Sequence, residues 1–197
     1  QPSQPVSVGI LGRHLMARPF LETLRASVGD RVVLHAADSA FEALLDVKRP
    51  REVALIREAC RLVDAATDAL ATAWRNGASG MAAAIAAERA ARSKAAHDVR
   101  VLFSVDGGRT LLPFYGVTEG RSDPMVAYVA VKYLGYWADA FVTLADRPLP
   151  ARDRAEAALA NMIAAARPGV RGAALAATVR DCLDGLPPHP VLNSYVG

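Results

Sequence analysis

The longest organised pattern of apolar positions runs over residues 125–144, MVAYVAVKYLGYWADAFVTL. Val126, Tyr128, Ala130 and Lys132 alternate with Ala127, Val129, Val131 and Tyr133. Successive side chains of a strand point to opposite faces, so the run predicts a strand that is mostly buried on both sides. Gly135-Tyr136 reads as a tight turn, because glycine takes positive φ without steric cost, and the return run completes a central hairpin. Asp139 is the one carboxylate in this apolar neighbourhood. Such a group is expected to be paired, hydrogen-bonded or bound to a cation.

The remaining pattern alternates short strands and amphipathic helices. Strands are expected over 6–11 and 31–35, and helices over 14–26 and 38–47, the second capped by Asp38-Ser39. Over 51–76 the residues Val53, Ile56, Cys60, Val63, Thr67, Leu70 and Trp74 recur at helical steps, and Gly77 ends the helix. Ser79 can cap a second helix through 96, so rich in alanine that it must pack closely. A strand over 99–105 is followed by Asp106-Gly107-Gly108-Arg109, which reads as a hairpin turn rather than an anion cradle. Residues 110–123 are irregular. Two further helices, 150–167 and 172–183, flank Arg167-Pro168-Gly169.

Composition narrows the function classes. The chain is 52% hydrophobic and 22% charged, as a globular protein is. Its net charge of +3 comes from 23 basic and 20 acidic residues, too balanced for a nucleic-acid footprint. No signal peptide or membrane span is visible, so no membrane partner and a cytoplasmic location are expected. Cys60 and Cys182 read as small buried hydrophobes in a reducing compartment. His14, His35 and His97 have no ligand spacing, and His189 sits in the rigid Pro187-Pro188-His189-Pro190 segment, so an independent zinc site is not expected.

Three stretches carry a family resemblance. Gly135-Tyr136-Trp137-Ala138-Asp139-Ala140-Phe141-Val142-Thr143 resembles the GY-x-(A/S)-D-x-x-R-T hairpin of the aminopeptidase P, creatinase and methionine aminopeptidase family, peptidase family M24. Upstream, residues 47–59 (VKRPREVALIREA) resemble the opening of that family's catalytic domain, and Arg167-Pro168-Gly169 resembles its R-P-G between two helices. The resemblance implies an α/β (α+β) fold of the pita-bread type: a curved antiparallel sheet with paired helices. Residues 1–47 would then be the tail of a smaller α/β N-terminal domain, and 48–197 the first part of the catalytic domain. A homodimer is the implied assembly.

Departures from the family pattern shape the expected site. The resemblance implies two metal ions held by two Asp of this hairpin, a His and two Glu. Asp139 matches one of those Asp, but Tyr128 stands at the other, and a phenol with a pKa of about 10 is a poor ligand at neutral pH. Leu111 stands where the family has a His before a Pro, and Val142 stands at the usual hairpin Arg. Asn193-Ser194-Tyr195-Val196-Gly197 resembles the strand leading into the family's His-containing motif, so the remaining ligands are expected beyond it, in the same or a separate polypeptide.

Asp139 is therefore the expected catalytic residue, with Tyr128 in substrate binding. Arg109, Tyr115 and Arg121, in or beside a loop that approaches substrate in the family, are either contacts to a small anionic ligand or ordinary surface residues. The expected activity is a hydrolase or lyase acting on a C–N or related bond of a small amino-acid-derived substrate, with no cofactor. Two alternatives stay open: a variant Xaa-Pro-type metallopeptidase using one divalent metal (Mn, Co, Fe or Zn), and a non-catalytic binding or assembly subunit.

Overall fold

The computed structural model describes residues 4–104, 106–107, 110–113 and 120–183, with side chains to 180. The chain divides into two compact units, Gln1–Val53 and Ala54–Gly197. In the first, β1 (Val6–Ile10) pairs in parallel with β2 (Val32–Ala36), Val6 opposite Val32 and Ile10 opposite Ala36. Helix α1 (Arg18–Val28) is the crossover that a parallel pair requires. Helix α2 (Asp38–Asp46) follows. The expected Asp38-Ser39 cap does not form: the α2 N-cap position is Ala37, with no side-chain cap bond. Asp38 Oδ1 instead accepts from the Gly12 backbone N–H at 2.7 Å, tying α2 to the loop after β1.

The second unit holds the core. Helix α3 (Pro50–Arg75), whose first turn lies in the first unit, is followed by α4 (Gly80–Arg92), and both pack on a sheet of strand order β4-β3-β5-β6. The strands are β3 (Asp98–Phe103), β4 (Leu112–Pro113), β5 (Met125–Tyr133) and β6 (Tyr136–Leu144), all antiparallel to their neighbours. The antiparallel β3–β4 pairing agrees with the hairpin expected between them. Helices α5 (Pro150–Ala165) and α6 (Gly172–Leu183) pack on each other.

The buried stripe of α3 is Ala59, Leu62, Val63, Ala66, Leu70, Ala71 and Trp74. It is turned from the one expected: Cys60 is exposed, because alanines at 59 and 66 occupy the centre of the contact. Ala83, Ala84, Ala87 and Ala91 of α4 have no exposed surface, which is the close approach that small side chains permit. Gly77, at φ 86°, ends α3, and the Ala78 N–H returns to Ala73 O at 3.1 Å. Ser79 Oγ caps α4 by accepting from the Ala82 N–H at 3.2 Å. Helix α4 stops short of the expected end at 96: Ala95 takes a φ of 68°, and the Ala96 N–H turns back to Ala91 O.

The central hairpin forms with its turn one residue earlier than expected. Tyr133 pairs with Tyr136, and Leu134 and Gly135 carry the turn at φ 44° and 95°. Both values are positive, as a two-residue type I′ turn requires. The hairpin is also not buried on both sides. Met125, Ala127, Val129 and Val131 face the helices and are buried, whereas Val126, Tyr128 and Lys132 on the other face are only half-buried. On β6, Trp137, Asp139 and Phe141 are exposed. One face of the sheet is core, and the other is open.

Candidate functional site

Strand register arranges the open face in three rows. Asp98, Lys132 and Trp137 form one, Arg100, Ala130 and Asp139 the next, and Leu102, Tyr128 and Phe141 the third. Each row crosses β3, β5 and β6 in turn, and side chains two apart on a strand share a face. Alternation places these residues outward because their neighbours Val99, Val101, Val129 and Val131 are claimed by the core.

Asp139 is exposed and makes no hydrogen bond or ion pair among the described residues. The expected pairing or hydrogen bond of this carboxylate is absent among the described residues: its immediate neighbours Ala138 and Ala140 point to the core face, while Trp137 and Phe141 share its own exposed face. Tyr128 sits diagonally across β5–β6 from Asp139, a relation that brings backbones to about 7–8 Å. Its ring tilts against Phe141, centroids 5.0 Å apart. The structure thus brings Tyr128 and Asp139 to one surface.

Arg121 pairs with Asp146. Its Nη1 and Nη2 donate to Asp146 Oδ2 and Oδ1 at 2.9 and 2.8 Å, and its guanidinium lies 4.1 Å from the centre of the Trp74 ring. The Trp74 Nε1–H donates to Ser122 O at 3.3 Å, and the Asp146 N–H to Asp123 Oδ1 at 3.1 Å. These bonds join the end of α3, the approach to β5 and the segment after β6. The hydrogen bond from Arg121 holds the Asp146 carboxyl below its usual range, and the same bond raises Arg121 against the opposing effect of burial. With its fork taken by Asp146, Arg121 acts as a structural latch. Arg109 and Tyr115 lie outside the described residues.

Two residues of the open face were not singled out by the sequence. Arg100 Cζ lies 4.8 Å from the centre of the Trp137 ring, and Lys132 Nζ 5.7 Å from it. Arg100 Nε also approaches Asp98 Oδ2 at 3.7 Å. The signal was available for Arg100 in the alternation of 98–103 and for Lys132 in that of 125–133, but only the cross-strand register shows that Arg100 shares a row with Asp139.

The profile of metallopeptidase family M24 matches residues 54–195. The chain belongs to metallopeptidase family M24. No curated protein matches the chain. Among solved structures, X-Pro aminopeptidase from Thermotoga maritima is similar with a TM-score of 0.72 and 18% identity, over 90% of this chain and 53% of that one. Prolidase from Pyrococcus horikoshii gives 0.70 and 17%, over 90% and 53%, and dipeptidase PepE from Mycobacterium ulcerans 0.69 and 21%, over 91% and 50%. At these identities the likeness is one of fold, and this M24 chain spans about half the length of those proteins.

The metal pair implied by the fold family can be tested against the donors present. Among the described residues no group of three or more His, Cys, Asp and Glu is placed to hold a metal ion. The open face offers Asp139 beside the phenol of Tyr128, and Asp98, two strands away in the next row, with an oxygen 3.7 Å from Arg100 Nε. That set does not by itself fit a metal pair, whose oxygen-rich sites draw on several carboxylates. No helix among the described residues is long and apolar enough to cross a membrane.

Proposed function

We propose that this M24 chain contributes the substrate-facing wall of a hydrolase or lyase that acts on a C–N or related bond of a small amino-acid-derived molecule, without the dinuclear metal centre. The observation that carries this reading is the exposed, uncommitted carboxylate of Asp139 on the open sheet face, diagonal to Tyr128. Asp139 contacts the nitrogen end of the substrate, and a positioned carboxylate of this kind contributes about 10²–10⁴-fold when it moves a proton in the transition state. A homodimer in the cytoplasm is part of the same proposal.

A second reading, a non-catalytic binding subunit, is favoured by the aromatic character of the face: Phe141 is 56% and Trp137 39% exposed. Large exposed aromatics beside a polar group are features of binding surfaces.

Asp139→Asn separates these readings. In the hydrolase reading the variant loses at least tenfold in the release of amine from a panel of small N-substituted amino acids, while its unfolding midpoint stays that of the parent, because the side chain is exposed. A fully active variant would place Asp139 outside the reaction. Elemental analysis of the active protein completes the test: two equivalents of Mn, Co, Fe or Zn, lost together with activity on chelation, would overturn the metal-free part.

A further inference from the structure

We propose that Arg100 and Asp139 form a two-point clamp for a small zwitterion, with Arg100 taking its carboxylate and Asp139 its ammonium group. This rests on the reading of the open sheet face as the substrate wall and deepens it by naming the charge pattern of the ligand. The two residues lie in one row, at opposite ends, with Ala130 between them. Adjacent strands are about 4.8 Å apart, so their backbones stand roughly 10 Å apart. No ion pair joins them among the described residues. The Arg100 side chain reaches toward β6, where it meets the Trp137 ring, so a cation and an anion unpaired among the described residues stand near each other on one face and complement a small molecule carrying the opposite charges.

The neighbouring side chains prepare each end. Arg100 reaches across β5 to the Trp137 ring, its Cζ 4.8 Å from the ring centre, a contact that limits its rotamers before a ligand arrives. The approach of Asp98, at 3.7 Å, falls on Nε and leaves both Nη groups to meet a carboxylate as a fork. At the other end, Asp139 stands between Trp137 and Phe141 along β6, with Tyr128 tilted against Phe141 at 5.0 Å. Aromatic faces flanking a carboxylate favour an ammonium or alkylated ammonium group. Lys132, 5.7 Å from Trp137 on the far side from Phe141, adds positive charge to the carboxylate end of the face.

The test is calorimetric titration of the chain with 4-aminobutanoate, its methyl ester and its N-acetyl derivative. The first carries both charges and has no amide to cleave, so binding is read apart from any reaction. The clamp requires that the zwitterion bind at least about tenfold more tightly than either derivative, the loss expected for one charge-assisted hydrogen bond. Arg100→Gln must abolish the preference for acid over ester while keeping the preference for free amine over N-acetyl. Asp139→Asn must do the reverse. Absence of binding at millimolar concentration, or an Arg100→Gln variant that still prefers the acid to the ester, overturns the clamp. Circular dichroism and thermal unfolding of each variant confirm that binding is measured on folded protein. Turnover measured on the same samples keeps the two readings distinct. A chain that binds by this rule without turnover retains the clamp and loses the hydrolase reading, and an active chain whose acid–ester preference survives Arg100→Gln loses only the clamp.

Discussion

Gly80, the first residue of α4, sits against the ring of Phe103 so closely that a Cβ there would lie 2.5 Å from Phe103 Cε2 and 2.8 Å from Cδ2. Phe103 is 1% exposed and inside the core, so its ring has nowhere to move. Alanine in place of glycine ordinarily stabilises a helix by roughly 0.5–1 kcal/mol. Forcing a methyl group into a packed contact costs about 1–3 kcal/mol, so the clash prevails. Gly80→Ala is therefore expected to lower stability by about that net amount in urea unfolding, with an unchanged dependence on denaturant. A stabilised variant would mean that α4 can shift on the sheet.

Among the elements, the β5–β6 hairpin governs the candidate site because its register sets which side chains share the open face. Its turn carries a local misfit. Leu134 holds a φ of 44°, a region costing a non-glycine residue about 1–2 kcal/mol, and it is 51% exposed, so little burial offsets the strain. Asparagine before glycine is the favoured pair in a type I′ turn. Leu134→Asn is expected to raise the unfolding free energy by about 0.5–1 kcal/mol and leave the binding face intact, since Tyr128 and Asp139 lie several residues from the turn. A lowered midpoint would show that Leu134 makes a packing contact worth more than its backbone strain.

For the second unit as a whole, the Arg121–Asp146 fork joins segments 25 residues apart and fixes the entry to β5 against the exit from β6. The Asp146 carboxyl is lowered by its bond to Arg121. A lowered carboxylate contributes stability that is present above the unfolded pKa of about 3.9 and is lost as pH falls through the folded value. Thermal midpoints of the parent are thus expected to fall more steeply than those of Arg121→Gln below about pH 4, and the two curves to run parallel from pH 6 to 8. Parallel curves throughout would show that the fork contributes nothing measurable, as many exposed pairs do. On the scale of the molecule, the period of apolar residues determined the elements: α3, α6 and the paired strands of the hairpin follow directly from it. The fold class came from the resemblance of residues 47–59, 135–143 and 167–169 to family M24, whereas the turn glycine and the strand alternation, local demands of the backbone, determined only the hairpin. Which face of that hairpin is buried was decided only by tertiary packing, since a run apolar at both alternating sets of positions does not say which set meets the helices. The same holds for the alanines that displace Cys60 from the α3 contact, for the fork that pairs Arg121 with Asp146, and for the row that aligns Arg100 with Asp139 across Ala130. Each depends on residues far apart in the chain, whose meeting is fixed by cross-strand register and helix packing rather than by any local pattern.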